Sequence, residues 1–109
     1  MGGRVKRGDV RWYRFVRPDK SRPVVILTRD SIIPHVGELT VAPVTSTIRD
    51  IPSEVLLDET DGVPRECAVN CDHLQTVAKG RIGSLLTTLS RPRMREVRTA
   101  INFALALDE

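Results

Sequence analysis

The chain predicts a mostly β domain with a C-terminal helix, folded as a small antiparallel β-barrel. Three observations carry this. β-branched and aromatic residues fall in several short runs separated by turn residues. The connections are polar and rich in Gly or Pro, with no sign of the long helical crossovers that parallel strands need. Helical periodicity is confined to the tail.

The elements follow in order. Val10–Phe15 is a strand rich in Val, Trp, Tyr and Phe, with Gly8 and Asp9 turning the chain ahead of it. The stretch from Arg17 to Pro23 holds two prolines and an Asp and reads as a loop. Val24–Thr28 is a continuous apolar run, the pattern of a strand buried on both faces. Asp30 to Gly37 breaks the pattern and reads as a loop with room for a helical turn. Leu39–Thr45 is the next strand, and Pro43 within it requires an unpaired edge or a bulge. Ser46 to Pro52 reads as a mobile connection. Glu54–Leu57 is a short strand, followed by an acidic turn that Gly62 closes. Cys67–Cys71 and Leu74–Val77 are strands or strand parts, and Lys79 to Gly83 is a polar link. Ser90 caps a helix beginning near Arg91 and Pro92. Met94, Val97, Ala100, Ile101, Ala104 and Leu105 or Leu107 recur at helical spacing, so this helix packs on the barrel.

With 109 residues the chain is one domain, 1–109, with a single modest core. An apolar fraction of 40% suits a globular fold. No apolar run approaches the ~18 residues of a membrane span. The basic N-terminus leads into no apolar stretch, so no secretory signal is read and a cytoplasmic protein is expected. The net charge of +3 and pI of about 9.3 favour an anionic partner. Arg4, Lys6, Arg7, Arg11, Arg14, Arg17, Lys20 and Arg22 crowd the first quarter, either as a solvated surface or as a phosphate-tracking one. Cys67, Cys71 and His73 lack the second ligand pair of a zinc site. On an extended strand the three share a face with Val69, so the cysteines are expected to be buried free thiols.

Polar residues that could do chemistry sit at strand ends. Arg22 opens the buried strand beside rigid Pro23, which suits either a salt bridge or a fixed, semi-exposed guanidinium. Thr45 ends the Leu39–Thr45 strand, with Ser46 and Thr47 beside it. Asn70 and Asp72 alternate with core-facing Val69 and Cys71 and are expected on the opposite face. His35 and His73 are the only histidines, and nothing in their spacing brings them together as an acid–base pair.

Four blocks, Arg7-Gly-Asp-Val10, Arg22-Pro-Val-Val-Ile-Leu-Thr28, Val41-Ala-Pro-Val-Thr-Ser-Thr47 and Val69-Asn-Cys-Asp-His-Leu-Gln-Thr-Val77, occur in this order. Together they resemble the MazF/PemK/Kid family of toxin endoribonucleases. The resemblance implies an SH3-like barrel of the MazF/CcdB type. It also implies metal-independent, cofactor-free, sequence-selective cleavage of single-stranded RNA, giving a 2′,3′-cyclic phosphate and a 5′-hydroxyl and stopping translation. It marks Arg22 as catalytic: a guanidinium fork binds two oxygens of a phosphorus gaining negative charge. An arginine is a poor general base at neutral pH, so Arg22 is read as a stabiliser and a candidate proton donor to the 5′-oxygen. Thr45 aligns with the catalytic Thr or Ser, where a hydroxyl donates to the phosphate. Asp72 is the third catalytic candidate, as the base on the 2′-hydroxyl, as an orienter of Arg22, or as a reader of a base edge. Lys20, Ser21, Ser46, Asn70 and Gln75 are the expected RNA-binding residues, with specificity expected from the loops Ser31–Gly37 and Ser46–Pro52. The chain departs from the family twice. Asn70 stands where some members carry an Arg, and the first loop lacks their catalytic His.

The resemblance also implies a homodimer and a MazE-type antitoxin whose acidic segment occupies the RNA groove. The main competing reading is a non-enzymatic toxin on the same fold that binds DNA gyrase, as CcdB does. A barrel that binds RNA without cutting it is disfavoured, because stacking platforms need aromatics and these make up only 4%.

Overall fold

The computed structural model describes residues 4–15 and 20–108. Seven strands and one long helix follow in the order β1 (Asp9–Phe15), β2 (Lys20–Ile26), β3 (Glu38–Thr45), β4 (Glu54–Leu57), β5 (Cys67–Asn70), β6 (Gln75–Ala78), β7 (Ile82–Thr88) and α1 (Arg91–Leu105). All pairings are antiparallel, in the order β4-β5-β3-β2-β1-β7, with β6 also on β3. The expected class, mostly antiparallel β with a C-terminal helix, is the one observed.

β2 and β3 form the centre of the sheet and are buried on both faces, as the apolar run in β2 predicts. Val25, Ala42 and Val44 join the core covered by α1, while Val24, Ile26, Leu39 and Val41 join a second core with Tyr13, Ile33 and Val77. The 3₁₀ turn Ile33–His35 contributes Ile33 to that second core. β3 changes partner along one edge: Glu38 to Val41 pair with β6, and Val44 and Thr45 pair with β5. Thr40 uses both its backbone N–H and its C=O on the β2 side, the N–H on the Thr28 hydroxyl and the C=O accepting from Leu27. By alternation the nitrogen of Pro43 faces the other edge, in the gap between β6 and β5. Its missing donor therefore costs no ladder bond, and neither a sheet edge nor a bulge is needed.

Two strands depart from the pattern read in the sequence. β2 begins at Lys20, so the residues Lys20 to Pro23 expected in a loop extend the strand opposite β1; the rest of that loop, 17–19, lies outside the described residues. β7 is an edge strand whose side chains are mostly exposed, so it lacks the apolar signal of the others. Gly83 within it marks a close approach, since a Cβ there would lie 3.0 Å from the Trp12 carbonyl oxygen.

α1 is capped as expected, with the Ser90 hydroxyl accepting from the Arg93 N–H at 3.3 Å. Val97 and Ala100 are buried, with Met94, Ile101 and Ala104 packed beside them. The stripe stops there: Leu105, the last helical residue, is 48% exposed, and Leu107 is 78% exposed beyond Ala106, which turns left-handed at φ 47° and ends the helix. Arg93 pairs with Asp61 at 2.9 Å and ties α1 to the turn Glu59–Asp61, which Gly62 closes at φ 91°. Cys67 and Cys71 are buried free thiols, and burial, with Asp72 adding, pushes the Cys71 thiol up to about 11.

Candidate functional site

The β2–β3 ladder ends at Val24 opposite Pro43. The nitrogen of Pro23 points toward β3 by alternation from Leu27, which donates to Thr40, and offers Val44 no donor. Continued one step further, the same register sets Arg22 across from Thr45. Tyr13 lies opposite Arg22 on its other side, and Thr45 still pairs with Ala68 of β5. The open end of this ladder is the candidate site. Pro23 thus marks where pairing with β3 stops and where polar side chains are released.

Two grooves meet there, and both are lined by Arg22, Thr45 and Thr47. The larger, about 560 Å³, runs over Trp12, Lys20, Ser21, Ser46 and Arg65. The smaller, about 340 Å³, runs over Phe15, Arg49, Asn70, His73 and Gln75. Among the described residues no carboxylate lines either groove, whereas Lys20, Arg22, Arg49 and Arg65 do. This is the arrangement that attracts a polyanion.

Arg22 is half-buried and, among the described residues, makes no ion pair. Other arginines of the chain are engaged: Arg11 is buried against Asp9 at 3.2 Å, and Arg7 donates from Nε to the Leu27 carbonyl at 2.8 Å. So Arg11, part of the basic first quarter, is structural, while Lys20 and Arg22 face the grooves. The Thr45 hydroxyl accepts the Thr47 backbone N–H at 3.0 Å. That bond occupies a lone pair and leaves the hydroxyl proton to donate outward.

The Asn70–Asp72 segment folds otherwise than an extended strand. β5 stops at Asn70, and Cys71–His73 is a 3₁₀ turn capped by the Asn70 side chain, which accepts the Asp72 N–H at 3.0 Å. Asn70 therefore faces the smaller groove while Asp72 lines neither, and its carboxylate accepts a hydrogen bond from the buried Ser53 hydroxyl. The expectation that Asn70 and Asp72 share a face fails because the turn interrupts the alternation. His73, expected beside the buried cysteines, is instead exposed in the smaller groove with Arg22 and Thr45. His35 lines neither groove, so the two histidines form no pair.

The structure thus gathers Arg22, Thr45, Lys20, Ser21, Ser46, Asn70 and Gln75 around one junction and leaves Asp72 behind it. Sequence reasoning missed Arg65 and His73 as groove residues, whereas Thr47 was named beside Thr45 and Arg49 falls in the Ser46–Pro52 loop expected to carry specificity. For His73 a signal was present: Asn70 two residues before Asp72 is a capping pattern that starts a turn. For Arg65 none was, since it lies in an irregular connection. Among the described residues no three His, Cys, Asp or Glu side chains are placed to hold a metal ion.

Comparison with known proteins bears on this geometry. The family described as PemK-like, MazF-like toxin of type II toxin–antitoxin systems matches residues 6–105. The probable endoribonuclease MazF5 of Mycobacterium tuberculosis is 40% identical over 99 residues, covering 90% of each chain. The solved structure of the M. tuberculosis toxin MazF-mt6 superposes with a TM-score of 0.84 at 34% identity, covering 93% of this chain and 99% of its own. A mycobacterial endoribonuclease solved in complex with its cognate antitoxin gives a TM-score of 0.85 at 25% identity, covering 95% of this chain and 97% of its own.

Proposed function

The chain belongs to the PemK-like, MazF-like toxins of type II toxin–antitoxin systems and is an endoribonuclease of that family; from this we propose that it cuts single-stranded RNA at the Arg22–Thr45 junction by metal-independent attack of the 2′-hydroxyl. The observation that carries the proposal is the half-buried Arg22, with no ion pair among the described residues, beside the Thr45 hydroxyl, whose proton is left to donate, where two cationic grooves meet. The scissile phosphate sits on this junction, with the strand running from one groove into the other.

As the 2′-oxygen bonds to phosphorus, negative charge grows on the two non-bridging oxygens. The guanidinium fork takes both, and the Thr45 hydroxyl donates a further hydrogen bond to the phosphate. The P–O5′ bond then breaks, leaving a 2′,3′-cyclic phosphate and a 5′-oxygen that gains a proton. The proton of the 2′-hydroxyl passes to water. Asp72, held by Ser53 behind the turn, is a positioning residue for Asn70 and His73 in this scheme. Lys20, Ser21, Ser46, Asn70 and Gln75 bind the RNA. The protein acts as a homodimer, and an acidic antitoxin segment competes for the same cationic grooves.

The test is incubation of purified protein with a long single-stranded RNA in EDTA. Cleavage with 2′,3′-cyclic phosphate ends is expected, and a deoxyribose at the cut site must stop it. Cutting that vanishes in EDTA and returns with magnesium overturns the mechanism, and a folded protein that binds gyrase but cuts no RNA overturns the function.

A further inference from the structure

We propose that the smaller groove is a base-reading subsite beside the scissile phosphate, in which His73 offers a fixed Nε2–H donor to a keto base, uracil or guanine. This rests on the ribonuclease reading above. The direction of the donor follows from a chain of hydrogen bonds. The Asp72 backbone N–H can only donate, and it donates to Asn70 Oδ1 at 3.0 Å. That assigns the Asn70 amide: its Nδ2 is the atom 3.3 Å from His73 Nδ1. An amide NH₂ can only donate, so Nδ1 accepts and carries no proton. The imidazole proton is therefore on Nε2, across the ring from Asn70. Nε2 has no partner among the described residues.

Two further features make the groove fit a base. Phe15 lines it, and its ring is braced edge-on by Tyr13 at 4.9 Å, with the Arg81 guanidinium over the Tyr13 ring at 5.7 Å. A pre-set aromatic ring gives an unpaired base a stacking surface. Gln75, also in the groove, supplies an amide that accepts as well as donates. Uracil and guanine each present a carbonyl oxygen next to a ring N–H, which matches a His73 donor beside a Gln75 acceptor. With His73 on the exocyclic position and Gln75 on the ring nitrogen, adenine and cytosine present an amino group where His73 also donates, and could meet it only through N1 or N3 in a shifted register. Because Arg22 and Thr45 line this groove too, the base read is on a nucleotide flanking the cut.

The experiment maps cut ends in single-stranded RNA randomised around one site. In the wild-type protein, uracil and guanine should exceed adenine and cytosine at one flanking position by on the order of tenfold, the worth of one such hydrogen bond. His73→Ala should bring that ratio near one and leave the preferences at other positions in place. Asn70→Ala, which frees the ring, should relax the same position in part. An RNA with hydrogen in place of the preferred base's carbonyl oxygen, a change that also removes the neighbouring ring N–H, should be cut at least about tenfold more slowly by the wild-type protein, a measurement independent of any variant's folding. A wild-type preference for adenine or cytosine at both flanking positions, an unchanged profile in folded His73→Ala, or indifference to loss of the carbonyl oxygen each overturns the inference. Absence of any cutting by the wild-type protein instead overturns the ribonuclease reading beneath it.

Discussion

At the scale of single residues, Arg22 differs from buried Arg11 in making no ion pair among the described residues. Its loss should be felt in the transition state and hardly in the fold. Arg22→Ala should lower the cleavage rate by on the order of a hundredfold or more with the thermal unfolding midpoint kept, and single-turnover rates alongside a melting curve check both. Thr45→Val keeps the β-branched shape that the β5 ladder needs and removes only the hydroxyl, so it should cost less than Arg22→Ala. Asp72→Asn separates a base from a positioning residue. The carboxamide still accepts from Ser53, so the turn that holds Asn70 and His73 should persist. The rate should fall by less than about tenfold and the pH–rate profile should keep its wild-type shape. Loss of the acidic limb in Asp72→Asn would return the base role to this carboxylate.

At the scale of elements, α1 is anchored to the Glu59–Asp61 turn by the Arg93–Asp61 pair. The Arg93 hydrogen bond holds the Asp61 carboxyl below its ordinary range, against an opposing push from burial. A carboxylate depressed in the folded state stabilises fully above its unfolded value, and that stability is lost as pH falls through the folded one. The stability difference between wild type and Asp61→Asn should therefore be complete near neutral pH and close below the usual carboxylate range. Urea titrations at several pH values measure this. A gap of constant size down to strongly acidic pH would show that the pair contributes nothing through charge.

At the scale of the whole molecule, the two grooves form one trough that carries Lys20, Arg22, Arg49 and Arg65 and, among the described residues, no acid. A single strand neutralised by these cations releases counterions on binding, and log K falls with log salt by about 0.7 per phosphate contact. Replacing Lys20 and Arg65 together by Ala should flatten the slope by about 1.4 and weaken binding to all sequences alike. Fluorescence anisotropy of a labelled non-cleavable RNA across a salt series reads the slope. An unchanged slope would place the RNA off the larger groove.

The strands with apolar or aromatic runs, the helix and its Ser90 cap were legible in the chain, because local periodicity and capping are set by neighbours in sequence. Thr45 was legible as the end of its strand, but Arg22 only in part: Pro23 marks where pairing with β3 stops, while β2 itself begins at Lys20. β7 was not legible: as an edge strand it buries too little to show a pattern, and its place is set by pairing with distant β1. Nor was the loss of the Asn70–Asp72 alternation, where side-chain capping competes with the extended backbone and wins. Above all, only the tertiary structure decided which charges stand free. Arg11 and Arg22 read alike in the sequence, yet one is buried on Asp9 and the other opens onto a groove. A charge's partner is fixed by approach in space, which the residue's own neighbours in the chain do not encode.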